Sequence, residues 1–500
     1  MKQEIEPNSY QSILKATSIY GFVQILKVLI GVVSTKLIAV FLGASGIGFL
    51  GLLNNTIGII SSITGFGINV VAIRDLSLES STSNSKIFSK RYQIIQKWAL
   101  FAGILGCLIT IIFSKLLSQL TFGNPKYYFW FILLSINFVI NAISNVKSVL
   151  MQSKRMIKQI ALANVVTSFF VVLITVPIYY FFKFQAIIPV ILMSSAIALF
   201  VNIYYTRKIE ILKIDNLHFN ELFFHIKPLM KLGFLLSINV IFGQICNFII
   251  RFYLKSINSS LEVLGYYEVS SVLLLSYVGL VFGAMSTDFY PRLTSVVADN
   301  KKVKSLVNDQ IEIGLLIITP LIILFYSLAP IIITILYSKD FLNVILILKA
   351  GLLAIILKSI IWPLAFVFLS KGENKLYFKQ EIFSDFLNVS LTILMYYYFG
   401  LIGIGFAMLI NYVIYGVYVL IILKQKFEFT LRKNTLKVVV SCMTIGVLAC
   451  VLICLFKGFY MYIGLSILVL ISFINSFIEL NRRIDLSEIF LKIKNKFKKN

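Results

Sequence analysis

Long apolar runs are the feature that most constrains the fold of this chain. Roughly fourteen runs of about twenty residues, the length of helix that crosses a bilayer core, follow one another through its 500 residues. The hydrophobic fraction of 59% is too high for a soluble chain of this size. The sequence therefore predicts an all-α polytopic membrane protein. The runs lie near residues 16–41, 48–72, 96–117, 128–151, 160–181, 187–206, 232–254, 265–287, 313–337, 346–370, 381–399, 402–423, 438–456 and 459–477.

Basic residues alternate between the connections and predict the orientation. Clusters of Lys and Arg occupy every second connection and the end of the chain, whereas the intervening connections hold only Lys126, Lys183, Lys255, Lys339 and Lys457. The basic side of a membrane protein faces the cytoplasm, so both termini are predicted to be cytoplasmic. The net charge of +25 is spread over many short loops rather than one patch, which argues against a nucleic-acid partner. The basic tail is expected to contact membrane lipids.

A repeat divides the chain into two lobes. Lys15, Lys36, Gly48 and Arg74 have counterparts in Lys231, Arg251, Gly265 and Arg292, and each counterpart lies 215 to 218 residues further along. Duplicated modules of this kind are common among transporters. The sequence predicts two pseudo-symmetric six-helix bundles and two extra C-terminal helices. The predicted parts are an N-terminal lobe at 1–215, a C-terminal lobe at 216–437, two additional spans at 438–480 and a basic cytoplasmic tail at 481–500.

Several spans carry polar residues on one helical face, which should meet a cavity or other helices rather than lipid. Buried cations would attract an anion, and phosphate is the common membrane-relevant anion. Alternative interpretations remain: Lys36 could extend its ammonium to the membrane surface, the Asn stripe of the fourth span could pack helices, and ion pairs could orient helices. The candidate substrate-binding residues are Lys27, Arg251 and Lys358, then Lys36 and Arg74, together with Gln24, Gln244, Asn247 and Asn141.

Acidic residues within the spans are few, and a desolvated carboxylate can exchange a proton and so couple transport to a cation gradient. The candidates for ion coupling are Glu268, Asp288 and Asp385, although Asp288 could also pair locally with Arg292. The two histidines and five cysteines fit no metal-binding spacing, and no nucleotide-binding motif occurs. We expect no metal, no cofactor and no enzymatic activity.

Three stretches of the chain resemble Wzx-type O-antigen flippases. They are SILKATSIYGFVQILKVLIGVVSTKLIAVFLGASGIGFLGLL near the start, then YVGLVFGAMSTDFYPRL and LKSIIWPLAFVFLSKGENKLYF. Wzx-type flippases belong to the superfamily of multidrug (MATE) exporters and the lipid II flippase. The resemblance implies two bundles that rock around a cavity and move an undecaprenyl-diphosphate-linked oligosaccharide from the inner to the outer leaflet of a bacterial inner membrane, driven by an ion gradient. A polysaccharide polymerase and a chain-length regulator are expected partners. The alternatives are an organic-cation antiporter, which the cationic spans disfavour, and a membrane polysaccharide polymerase.

Overall fold

The computed structural model describes residues 7–80, 85–154, 156–212, 219–258, 260–456 and 458–483. Throughout these ranges the regular elements are helices and no strand occurs, which confirms the predicted fold class. The α-helices are α1 (Pro7–Gly65), α2 (Ile68–Ser80), α3 (Ser85–Ile112), α4 (Ser114–Phe122), α5 (Tyr128–Ser153), α6 (Ile157–Phe182), α7 (Ile187–Thr206), α8 (Phe219–Asn258), α9 (Leu261–Ser271), α10 (Val278–Ser295), α11 (Asn300–Leu336), α12 (Val344–Ser370), α13 (Asn374–Phe427), α14 (Lys433–Leu455) and α15 (Phe459–Arg483).

Eleven segments of the described chain are long and apolar enough to cross a membrane. Three of them, Ile30–Gly65, Lys158–Thr206 and Asn374–Phe427, each run across two of the predicted spans. In α1 and α13 the two spans join at a single glycine: Gly43 has φ 64° and Gly400 has φ 57°. Side chains with a Cβ rarely adopt these left-handed angles, so glycine lets one helix follow another with hardly any loop. The predicted glycine-rich turn after the first span is thus a bend at Gly43.

The chain forms two compact units, Met1–Glu262 and Val263–Asn500. This division differs from the sequence-based boundary at residue 215, because α8 packs against α1, α2 and α3 and so clusters with the first unit. The functional lobes at 1–215 and 216–437 stay a prediction. Gly48 and its predicted counterpart Gly265 are both buried, each within its own unit.

In the first unit, α8 crosses the α1–α2 junction at very close range. A Cβ added at Gly67 would lie 2.3 Å from the carbonyl oxygen of Gly233, and one added at Gly233 would lie 2.0 Å from that of Phe66. Both positions therefore require glycine for steric reasons. Next to this crossing, Trp98 of α3 packs with Ile226 and against Phe66.

In the second unit, α12 is the central helix. About 72% of its most apolar window is buried, and it packs against α11, α13 and α14. The additional helices α14 and α15 pack on α11 and on each other. A π-helical segment, Val272–Tyr277, separates α9 from α10. Such segments interrupt regular α-helix and are frequent at functional sites.

Candidate functional site

The candidate site residues fall in two sets, one in each unit. The side chains of Gln24, Lys27, Arg74 and Asp288 lie outside the described part of the chain, so their predicted roles are untested. Gln244, Asn247, Arg251, Lys36 and Asn141 belong to the first unit, whereas Lys358, Glu268 and Asp385 belong to the second.

In the first unit, the polar face of α8 meets the second half of α1. The Asn55 Nδ2 donates a hydrogen bond of 2.8 Å to Gln244 Oε1, and Gly58 leaves room for the Gln244 amide. Asn55 is buried and Gln244 is half-buried. The polar stripe of this span thus faces another helix, as predicted for a stripe that avoids lipid, and at Gln244 it joins helices.

Two turns further along α8, the polar face becomes cationic. Arg251 is half-buried and its Nη1 donates to the Asn247 carbonyl oxygen at 3.1 Å, while Asn247 Nδ2 donates to the Gly243 carbonyl oxygen at 2.9 Å. These bonds hold the guanidinium and the amide along their own helix. Lys36 is half-buried on α1.

The polar face of α5, which carries the Asn stripe of the fourth span, lines a cavity in one part and contacts another helix in the other. Asn141 lines a cavity of about 100 Å³ together with Thr64, Gly103 and Asn145. Further along α5, the Asn202 Nδ2 of α7 donates to Ser144 Oγ at 2.9 Å. This stripe therefore includes at least one contact that joins helices, while Asn141 faces a small space.

In the second unit, Lys358 of α12 lies among charged and aromatic groups. Its Nζ is 5.6 Å from the centre of the Phe282 ring, and the Glu381 carboxylate lies within electrostatic reach of it. Glu381 Oε1 accepts a hydrogen bond of 3.3 Å from the Tyr415 hydroxyl. Asp385 lies one turn beyond Glu381 on α13. One lysine and two carboxylates thus share the interior of this unit, where isolated charges are costly and usually functional.

A polar cavity of about 160 Å³ adjoins this cluster. Asp385, Asn388 and Thr392 of α13 line it opposite Ser270 of α9 and Asn411 beyond the Gly400 bend. Asn411 is 6% exposed, and its Oδ1 is without a hydrogen-bond partner in the described structure. The π-helical segment also borders the cavity through Leu274 and Leu275. The space is large enough for several water molecules and offers carboxylate, amide and hydroxyl oxygens to a small cation.

Sequence reasoning singled out Asp385 and Lys358 but missed Glu381 and Asn411. Glu381 is the first residue of the predicted span 381–399, at its very edge, whereas α13 begins at Asn374 and places Glu381 two turns inside the helix. Glu268 is half-buried on α9 and is not among the residues that line the cavity. Over the described ranges, no group of three or more His, Cys, Asp and Glu side chains is placed to hold a metal ion.

Comparisons with known proteins agree with this architecture. The family model described as "Polysaccharide biosynthesis protein" matches residues 37–346. No curated protein sequence matches the chain. Among solved structures, the lipid II flippase MurJ in an inward closed conformation superposes with a TM-score of 0.69 at 15% identity, covering 93% of this chain and 99% of its own.

Transporters of the multidrug resistance MATE family are also similar. An inward-facing structure of a member of the MOP superfamily superposes with a TM-score of 0.67 at 14% identity, covering 80% of this chain and 95% of its own. An outward-facing structure gives 0.57 at 15% identity, with coverages of 83% and 96%. At such low identity these likenesses establish the fold. The chain is therefore a multi-pass membrane protein that belongs to the polysaccharide biosynthesis protein family and has the fold shared by transporters of the MOP superfamily.

Proposed function

We propose that this protein is a flippase that moves a polyprenyl-diphosphate-linked oligosaccharide from the inner to the outer leaflet by alternating access. The observation that carries the proposal is a family model for polysaccharide biosynthesis on a chain with a transporter fold. Surface polysaccharides are assembled from units whose polar head cannot cross a bilayer unaided. A member of this family with a transporter fold could carry such a unit across the bilayer without catalysing a reaction.

The diphosphate would be bound by the cations within the spans. Arg251, Lys358 and Lys36 have described side chains, and Lys27 and Arg74 complete the set. Guanidinium and ammonium groups form charge-assisted hydrogen bonds to phosphate oxygens, and these are stronger than neutral ones. The amides of Gln24, Gln244, Asn247 and Asn141 are proposed to hydrogen-bond the sugar hydroxyls.

Coupling to an ion gradient is proposed for the carboxylates of the second unit. Asp385 lines a polar cavity with Asn388 and Asn411, and Glu381 lies one turn away beside Lys358. Occupation of this cluster by a cation would change its charge and so bias one transporter conformation over another. Glu268 and Asp288 remain further candidates.

The test is surface polysaccharide formation together with the leaflet in which lipid-linked units accumulate. At equal membrane levels, Arg251→Ala should reduce flux about tenfold or more, because one charge-assisted bond contributes roughly 1.5–3 kcal/mol, and should leave units on the inner leaflet. Arg251→Lys should retain part of the activity. Lys424→Ala, an exposed lysine near the end of α13, is the control. Units that accumulate on the outer leaflet would indicate a polymerase instead.

A second candidate, antiport of organic cations, gains support from the paired carboxylates Glu381 and Asp385 and from the fold shared with multidrug transporters. An exporter of cations should tolerate Arg251→Ala and lose drug efflux when Glu381 becomes Gln. A flippase should show the opposite dependence on Arg251.

The proposed location is the bacterial inner membrane, with both termini in the cytoplasm and with a polysaccharide polymerase and a chain-length regulator as partners. Reporters that are active only outside the cytoplasm should be active when fused at Asn124 and inactive at Asn300. The reverse result would overturn the orientation while leaving the fold unaffected.

A further inference from the structure

A large polar cavity lies between α11, α14 and α15 in the second unit. Its volume is about 810 Å³, several times that of the cavity beside Asp385. The three helices pack against one another, and the cavity lies towards the end where α11 and α14 begin and α15 finishes. It is lined by Asp309, Glu312, Ile313, Arg432, Asn434, Lys437, Val438, Ser441, Asn475, Glu479 and Arg482.

The cavity lies where all three helices change from apolar to charged. No charged residue occurs in 313–336 of α11, in 438–455 of α14 or in 459–478 of α15. Glu312 borders the uncharged run in α11, Lys437 the one in α14 and Glu479 the one in α15. All three residues line the cavity. Helices of this length place such boundaries at the level of the lipid headgroups. The cavity is therefore at headgroup depth rather than in the hydrocarbon core or in the aqueous phase.

The lining carries both signs of charge in equal number: Arg432, Lys437 and Arg482 are basic, and Asp309, Glu312 and Glu479 are acidic. Two ion pairs hold part of the rim, Arg432 with Asp309 at 2.8 Å and Arg482 with Glu479 at 3.0 Å. No ion pair or hydrogen bond is found for the Lys437 ammonium among the residues that the structure describes.

Glu312 forms the acidic wall of the cavity. Only 5% of Glu312 is exposed, and its Oε1 accepts a hydrogen bond from the Thr435 hydroxyl. The carboxylate therefore places negative charge at the wall of the cavity, beside the Thr435 hydroxyl. The cavity therefore combines a buried acidic wall with an exposed ammonium.

We propose that this cavity binds the headgroup of a phospholipid that carries a primary ammonium as well as a phosphate. A purely anionic group would meet the three carboxylates, and a purely cationic one would meet the three basic side chains. A zwitterionic headgroup satisfies both, with its ammonium towards the Glu312 wall and its phosphate towards the Lys437 ammonium. The acyl chains would extend along the charge-free part of the same helices.

This site is separate from the proposed substrate site and does not depend on the flippase assignment. It gives the additional helices α14 and α15 a role, since they contribute Lys437, Asn475, Glu479 and Arg482 to the cavity. The lipid would join this helix pair to α11 and so fasten it to the rest of the unit.

Native mass spectrometry of the purified full chain tests the proposal. The protein is incubated with equal amounts of phosphatidylethanolamine, phosphatidylcholine and phosphatidylglycerol that have the same acyl chains. We expect phosphatidylethanolamine to be retained best, because its ammonium can donate hydrogen bonds to carboxylates. Lys437→Gln and Glu312→Gln should each weaken its retention about tenfold, the effect of one charge-assisted bond. Lys437 is exposed, so its variant should fold normally even where the buried Glu312 variant does not.

Lys433→Gln and Glu428→Gln are the matched controls, because both residues are exposed near the same helix end and neither lines the cavity. Competition by soluble phosphoethanolamine, but not by inorganic phosphate, would support recognition of both charges of the headgroup. Equal retention of the three lipids, a preference for phosphatidylglycerol, or displacement by inorganic phosphate alone would overturn the proposal. So would an equal loss of lipid in the control variants.

Discussion

The close crossing of α8 and the α1–α2 junction allows a stability prediction from a single added carbon. In Gly233→Ala the new Cβ would lie 2.0 Å from the Phe66 carbonyl oxygen and 3.1 Å from its carbonyl carbon. Real Cβ atoms essentially never approach another heavy atom within 3.0 Å. The two backbones must therefore separate by about 1 Å, since no flexible side chain is available to give way.

The expected magnitude follows from two opposing effects. Alanine is favoured over glycine inside a helix by about 1 kcal/mol. Overpacking of a tight interior costs about 1–3 kcal/mol, and a clash with backbone lies at the upper end. We expect Gly233→Ala to lower the free energy of unfolding by about 1–2 kcal/mol. Gly283 in α10 has no atom within 4 Å of an added Cβ, so Gly283→Ala should be neutral or slightly stabilising.

Tryptophan fluorescence is a suitable readout, because Trp98 packs against Phe66 beside the crossing. Denaturant unfolding of the two variants in the same detergent, in a background with Trp130 and Trp362 replaced by Phe, would follow this region alone. Gly233→Ala should unfold at a lower denaturant concentration than Gly283→Ala. Identical midpoints would refute the close contact between α8 and the α1–α2 junction.

Three further predictions concern other contacts. Gln244→Leu should lower the free energy of unfolding by about 1–3 kcal/mol because buried Asn55 loses its partner, and adding Asn55→Leu should recover part of that loss in the same unfolding assay; no recovery would argue against a direct bond. Asp385→Asn should remove the dependence of vesicle transport on an imposed ion gradient, and Lys358→Gln should reduce transport itself; gradient dependence that survives in the first variant would exclude coupling through that carboxylate. Gly400→Ala should cost about 1–2 kcal/mol of strain and lower the amount of protein in the membrane, measured by quantitative immunoblot; an unchanged amount would contradict the left-handed bend.

The number and course of the spans could be predicted because bilayer thickness fixes helix length, and apolar runs of that length are unmistakable. The polar face of the seventh span was also predictable, since polar groups avoid lipid. Its partner was not, because Asn55 and Gln244 are 189 residues apart and nothing local couples them. The hydrogen bond between Tyr415 and Glu381 could not be predicted for the same reason, because the two residues lie on opposite sides of the Gly400 bend.

The boundary between the units illustrates a different limit. The polar connection at 207–231 suggested a division near residue 215, and composition favours that position. The unit to which a helix belongs depends on the helices it packs against. For α8 these contacts include the close approach of Gly67 and Gly233 and the hydrogen bond between Asn55 and Gln244, and both are within the first unit. Such contacts depend on small residues and single amide side chains, which change the hydropathy of a span very little. The hydropathy pattern therefore does not predict them.

The bends at Gly43 and Gly400 also determine how much of the protein can be reached from the non-cytoplasmic side of the membrane, given the predicted orientation. Both lie on the non-cytoplasmic side, where each replaces a loop with a single residue. A protease added to that side requires several accessible residues in an extended conformation, and these turns offer almost none. An epitope inserted at either glycine would separate two continuous helices, whereas the short turn around Asn124 leaves more room. Surface labelling of this protein should therefore begin there.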